Sequence, residues 1–451
     1  MKWLADHAWV QGAWASRVLL EADERGHWCR VQVDAAPQEC VGAEPLGMVL
    51  PGMTNAHSHA FQRAMAGLAE RSERPHDDFW SWRERMYQVA LRIGPEALEQ
   101  VAAWLYAEML RAGYTQVCEF HYVHRDPKGQ AYADPAEMAW ALVRAAQRTG
   151  IGLTLLPTVY MRQGFGQDTL GDAQRRFRAD ADFILSIEAR LAQHAATSDK
   201  GLFRSGVALH SLRAVPMAAI LAIDKALPNS PLHIHVAEQV KEVQDCLSHH
   251  QQRPIAWLSE QVALNARWHL VHATHATPSE LQAIRQSGAT VVICPTTEAN
   301  LGDGRFDWAT ALSLGIPGSV GTDSHVNRNW TEELRWLEYV QRLHLQQRNV
   351  SLQQQPGETA GRLLNWALQG GAAASGLPLE GLALGQRADM VELDTEADAL
   401  LGIPASHVLD AWVFSTPSSS ARRVFVGGQA VPDRRAELAP GFVQAMASLV
   451  S

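Results

Sequence analysis

The stretch Pro51-Gly52-Met53-Thr54-Asn55-Ala56-His57-Ser58-His59 carries two histidines at a spacing of two. It follows an apolar run and reads as the end of a strand. Successive strand residues point to opposite faces, so His57 and His59 share a side and can aim at one point. Neutral imidazoles held that way are ready metal ligands. A His-x-His alone also occurs on solvated loops; it gains weight from what recurs later in the chain. His233, His235 and Glu238 stand in HIHVAE, His272 and His275 in VHATH, and Asp323 and His325 in GTDSH. Each group ends a β-type run. A lone buried histidine is ordinarily structural, Asp323 could cap a helix, and Glu238 could sit at a helix start facing its macrodipole. Those readings would have to hold independently at four strand ends, whereas one metal site explains all four. Histidine and carboxylate donors suit a divalent ion such as Zn2+.

The elements that must position these groups alternate. β-type runs over 48–59, 114–124, 151–160, 206–213, 231–238, 268–275, 289–297 and 316–325 are separated by helical tracts such as 95–112, 135–148, 172–194 and 278–286. Eight strands with helical crossovers predict a (β/α)8 TIM-like barrel, whose chemistry belongs at the C-terminal ends of its strands. Further helices are expected over 330–345 and 359–374. Short strands before residue 48, and again over 385–393 and 423–428, predict a small flanking β-sandwich module built from both termini. The expected division is 1–47 with 376–451 for the module and 48–375 for the barrel.

With 451 residues, the chain is long enough for a barrel of about 250 residues plus a module. A net charge of −9 without basic runs argues against nucleic acid and anionic membranes. No apolar run reaches the roughly 20 residues of a spanning helix, and the first residues lack a signal-peptide pattern. Five scattered cysteines without a CxxC pair point to a reducing cytoplasm.

The layout resembles the amidohydrolase superfamily, and within it the formimidoylglutamate deiminases of histidine degradation. The resemblance spans essentially the whole chain. It rests on PGMTNAHSHAFQRAMAGLAE (51–70), LHSLRAV (209–215), HIHVAEQ (233–239), CPTTEANLGDG (294–304), GTDSH (321–325) and EELRWLEY (332–339). One departure is Thr322, where a Ser is expected before the aspartate; it leaves Asp323 itself intact. The resemblance implies a metal held by His57, His59, His235 and Asp323, with Glu238, His272 and Asp323 as catalytic groups. It prefers His235 to His233 and His272 to His275; residue spacing alone leaves both choices open. Binuclear relatives resemble one another in having a carboxylated lysine after strand four. Here that end reads Leu209-His210-Ser211-Leu212-Arg213, so a single ion is expected.

The implied reaction is hydrolytic deimination of N-formimino-L-glutamate to N-formyl-L-glutamate and ammonia. A substrate with two carboxylates needs cations, and Arg213 can clamp one bidentately with His210 beside it. By resemblance, Gln62 and Tyr122 line the substrate pocket. Arg83, in WSWR, is a further candidate that could reach a neighbouring subunit's site, and a homodimer is expected. The alternatives are an aminohydrolase of the same superfamily acting on a cyclic amidine (purine, pyrimidine or triazine), or a metal-free relative serving as a scaffold.

Overall fold

The computed structural model describes residues 1–71, 79–198, 201–417 and 421–450. Eight positions of parallel sheet follow one another around a barrel. They are β5 (Met53–Ser58), β6 (Tyr114–His121), β7 (Gly152–Val159), β8 with β9 (Phe203–Ser205 and Val207–Ser211), β10 (Leu232–Val236), β11 (Trp268–His272), β12 (Thr290–Ile293) and β13 (Gly318–Val320). Nearly every residue of these strands is buried, as expected of parallel sheet covered on both faces. The fourth position is interrupted at Gly206, where a Cβ would come within 2.7 Å of Pro231. Thus β8 pairs with the first half of β7 and β9 with the second.

The last position, β13, meets β5 through the parallel bridge Ser58–Asp323. Here the Thr322 and Asp323 N–H groups donate to the His57 carbonyl at 3.1 and 3.0 Å, and the His59 N–H donates to the Asp323 carbonyl at 3.2 Å. So close an approach needs Gly321, because a Cβ there would sit 2.6 Å from the His57 Cβ.

The flanking module is one seven-stranded sheet. It is built from β1 (Lys2–Val10), β2 (Ala13–Ala22), β3 (Trp28–Gln32), β4 (Glu44–Pro51), β14 (Met390–Leu393), β15 (Ala421–Val426) and β16 (Gln429–Ala430). Their order is β16-β15-β14-β4-β1-β2-β3, so the two termini pair side by side as expected. The sheet curls until its distant strands face each other. Trp3 packs edge-on against both Trp28 (6.0 Å) and Phe425 (5.8 Å), and the Trp28 N–H donates to the Gln386 carbonyl at 2.8 Å. One sheet thereby supplies both layers around its own apolar core.

Three local expectations change. The run over 48–59 is two strands: β4 belongs to the module, and the chain switches sheets at Gly52, where a Cβ would be 2.3 Å from Thr115 Oγ1. The helix expected over 172–194 is a 3-10 turn, Asp172–Phe177, then a helix, Ala181–Thr197, whose start Asp180 fixes by accepting the Phe183 N–H at 2.9 Å. The chain also ends in a helix, Arg435–Val450, held to the helix Pro95–Arg111 by Phe442 stacked on Trp104.

The helix Thr359–Ser375 lies across the N-terminal ends of β5, β7, β10 and β13. Its run Gly370-Gly371-Ala372-Ala373-Ala374-Ser375 allows the contact: a Cβ on Gly370 would overlap the Gly318 carbonyl, and one on Gly371 would sit 2.9 Å from Thr54 Cβ. Carbonyls of Ala367, Ala374 and Ser375 accept from Ser319, His233 and Thr154 at 2.8, 2.9 and 2.9 Å. No helix among the described residues is long and apolar enough to cross a membrane.

Candidate metal centre and substrate cleft

At the C-terminal ends of the strands, His57, His59, His235 and Asp323 converge. His57 Nε2 lies 3.0 Å from His235 Nε2 and 3.3 Å from Asp323 Oδ1, and His59 Nε2 lies 3.2 Å from that same oxygen. A tetrahedral ion with ligands at about 2.1 Å needs donor atoms about 3.4 Å apart, close to what these three contacts provide. Tautomers are set from behind: His59 Nδ1 faces the Phe120 carbonyl and His235 Nδ1 the His210 carbonyl, each at 2.8 Å, which turns both Nε2 lone pairs inward. Burial pushes the His57 pKa down to about 3, outweighing the neighbouring Asp323, and lowers His59 and His235 as well. All three are therefore neutral, the form that binds metal. Asp323 is held well below the usual carboxylate range by its His57 hydrogen bond and the surrounding imidazoles, against the opposing effect of burial. A neutral three-histidine set with one ionised carboxylate fits a divalent ion. His57, His272 and Asp323 also present donor atoms within 4.8 Å of one another.

The structure separates the residues that spacing left open. His233 points to the same face as His235 but sits two residues lower, bonded to the Ala374 carbonyl and packed on His269 at 4.5 Å. His272 enters the site; His275 lies outside the cleft lining, its backbone N–H donating to the Ala237 carbonyl. His325 is buried, with its ring nitrogens near Ser58 Oγ and Thr322 Oγ1. Several of these positions are strained. Ala237, His272, Ala273, Asp323 and His325 have φ of 52°, 69°, 48°, 46° and 64°, a left-handed conformation that costs about 1–3 kcal/mol per residue outside glycine. Five such residues at three strand ends show how sharply the chain turns to aim them.

Beside the metal group opens a cleft lined by His59, Gln62, Arg83, Tyr122, His210, Arg213, His235, Glu238, His272 and Asp323 together with aromatic walls from Trp82, Tyr87, Tyr160 and Phe177. Every residue to which the sequence assigned a metal, catalytic or substrate role is there except the buried His57. Arg213 is almost fully buried, and its Nε is 4.0 Å from Glu242 without a hydrogen bond. Gln62 donates to the Tyr122 hydroxyl at 2.8 Å, and the His210 ring packs on Tyr160 at 4.3 Å. Arg83 lines the cleft of its own chain, stacked over Trp80 and Tyr87 at 4.3 and 5.5 Å.

Glu238 and His272 face each other, Oε1 to Nε2, at 3.7 Å. Burial raises the Glu238 pKa into the neutral range. For His272, burial opposes the charged form, but Glu238, a hydrogen bond to Glu298 and Asp323 together push it upward. Two acidic residues went unassigned in the sequence. Glu298 Oε1 lies 3.1 Å from His272 Nδ1. Glu119 accepts from Ser58 Oγ and the Ala60 N–H, both at 2.6 Å, bracing the turn that carries His59. Glu298 falls inside CPTTEANLGDG, which offered a signal; Glu119 sits in an unremarkable strand.

The family model described as the amidohydrolase family matches residues 48–431. Formimidoylglutamate deiminase of Pseudomonas aeruginosa is 45% identical over 427 residues, 94% of this chain and 93% of the relative. A crystal structure of an amidohydrolase from Brucella melitensis superposes with a TM-score of 0.94 at 40% identity, covering 100% of both chains. The structure of atrazine chlorohydrolase from Arthrobacter aurescens, complexed with zinc, shares the fold with a TM-score of 0.83 at 19% identity, covering 99% of each chain. A closed parallel barrel with histidines turned inward at its strand ends, matched along nearly its whole length, makes this chain a member of the amidohydrolase family.

Proposed function

We propose that this chain is a metal-dependent hydrolase that deiminates N-formimino-L-glutamate to N-formyl-L-glutamate and ammonia. The observation that carries the reading is one cleft joining neutral metal-ligating imidazoles to two guanidinium side chains, Arg83 and Arg213. A linear amidine with two carboxylates needs both. The identity to the Pseudomonas deiminase supports the same substrate.

His57, His59, His235 and Asp323 would hold one ion, and their nitrogen and carboxylate donors suit Zn2+. A divalent ion bound there lowers the pKa of a water towards neutrality. Asp323, whose Oδ1 faces both His57 and His59, would take a proton from the attacking water. Glu238, whose burial brings it near neutrality, delivers its proton to the imino nitrogen and recovers one from the hydroxyl on the tetrahedral carbon as C=O forms. The proton held by Asp323 passes to the amino group, which leaves as ammonia. His272 donates from Nε2 to the oxygen that gains charge as the carbon becomes tetrahedral. A C=O bond ends in place of C=N, one water is consumed and one ammonia leaves. Arg213 exchanges its distant Glu242 contact for a bidentate carboxylate. Arg83 meets the second carboxylate, while His210, Gln62 and Tyr122 shape the wall between. The free cysteines, Cys29, Cys40, Cys118, Cys246 and Cys294, support a cytoplasmic location.

Ammonia release from a substrate panel tests the reading. Formimino-glutamate should outpace formimino compounds lacking the side-chain carboxylate. Faster release from guanine, cytosine or a triazine would move the chain to the cyclic-amidine aminohydrolases.

A further inference from the structure

Glu298 is buried behind His272, outside the cleft lining, on the short helix Pro295–Leu301 that follows β12. We propose that Glu298 is a positioning residue: it holds the His272 ring by Nδ1–H so that Nε2 faces the reacting oxygen. The inference rests on the hydrolase reading above.

The argument is one of hydrogen-bond accounting. His272 is 1% exposed, so its ring is held mainly by the protein groups around it. On the Nε2 side the nearest groups are Glu238 Oε1 at 3.7 Å and Asp323 Oδ2 at 4.0 Å, both beyond hydrogen-bond distance. On the Nδ1 side Glu298 Oε1 is at 3.1 Å. Among the described residues this is the one hydrogen bond made by the ring. His272 also stands where the backbone leaves β11 in the left-handed region, φ 69°, so regular strand geometry does not aim the side chain. A carboxylate accepts and cannot donate. Glu298 therefore requires a proton on Nδ1 and leaves Nε2 as the atom available to the substrate side.

Glu298 is itself fixed. Its Oε1 also accepts the Cys294 N–H at 2.9 Å, and its carbonyl accepts the Asp303 N–H at 3.0 Å. The competing view is that Glu298 only caps this short helix through Cys294. The two views part on what happens once His272 is gone.

The test is a double-mutant cycle on the metal-loaded enzyme. Glu298→Gln should lower kcat about 10–100-fold, the usual cost of losing an outer-shell partner, with KM and metal content unchanged. In a His272→Asn background, Glu298→Gln should cost nothing further, because its effect passes through the ring. An equal loss in both backgrounds, or wild-type kcat in Glu298→Gln, overturns the proposal. Glu298→Asp, which keeps a carboxylate, should recover part of the rate. A second readout needs no turnover: a protected imidazole Nδ1–H proton resonance, assigned by its absence in His272→Asn, should be present in wild type and lost or moved in Glu298→Gln. Absence of that resonance from the wild-type protein also overturns the proposal. Presence of the resonance in a protein that does not turn over formimino-glutamate would uphold the positioning role and reject the substrate.

Discussion

His57 and Asp323 are joined twice: Nε2 to Oδ1 at 3.3 Å through their side chains, and Asp323 N–H to His57 carbonyl at 3.0 Å through their backbones. The backbone contact lies where β13 meets β5, so the ligand set and the closing seam of the barrel occupy the same few residues. Chelation should therefore loosen structure as well as stop turnover. A ligand at a thousandfold excess over its Kd contributes about 4 kcal/mol, and the chelated protein should melt correspondingly lower. Amide exchange should quicken over 53–59 and 318–325 before it does in the flanking sheet. Uniform exchange with and without metal would refute this link.

Glu238→Gln removes the proton carrier but no proposed ligand. It should keep the metal and lose about 10²–10⁴-fold in kcat, the usual range for a general acid–base group. Metal analysis beside steady-state kinetics checks both halves, and near wild-type turnover would remove Glu238 from the reaction.

Arg213→Met should raise KM steeply while leaving metal content alone. Losing one partner of a buried charge pair costs about 2–5 kcal/mol, roughly 30-fold or more in affinity. The loss should be far smaller for a formimino compound without the second carboxylate. Equal losses on both substrates would place Arg213 in the structure rather than in recognition.

Glu358, just before the helix Thr359–Ser375, has its pKa pushed up to about 7 by burial and then by Asp410. Its folded pKa exceeds the unfolded value, so the unfolded chain releases the proton first as pH rises. The stability cost is absent below about pH 4.5, grows towards pH 7 and is complete above it. Glu358→Gln should therefore gain about 1–2 kcal/mol on going from pH 5 to pH 8, a figure discounted because the side chain is partly exposed. Chemical denaturation at the two pH values measures the difference; a pH-independent effect would count against it.

The convergence of these side chains was largely legible because histidines and carboxylates recur at the strand ends of one barrel. What spacing could not do was choose between His233 and His235. A period of two puts both on one face; their height in the barrel separates them, and the Ala374 carbonyl that occupies His233 comes from a helix far along the chain. Glu298 stood within a recognised motif, yet its partner His272 lies 26 residues earlier, so no local pattern joins them. The switch from β4 to β5 was hidden because both strands are buried, and a buried apolar run carries no mark of which sheet receives it. The closing strand β13 has only three residues, too short for periodicity to delimit. The final helix Arg435–Val450 rests on a tertiary contact, Phe442 on Trp104, and nothing nearby in sequence announces it.

The helix Thr359–Ser375 covers the end of the barrel opposite the chemistry, so the cleft at the other end, with Arg83 and Arg213 in its lining, is the doorway to the ligand cluster. Substrate enters and both products leave past the same arginines, and the formyl product keeps the two carboxylates that drew the substrate in. Traffic through that doorway should set a limit on the enzyme: N-formyl-L-glutamate should inhibit competitively, whereas ammonium, which those cations repel, should clear without competing.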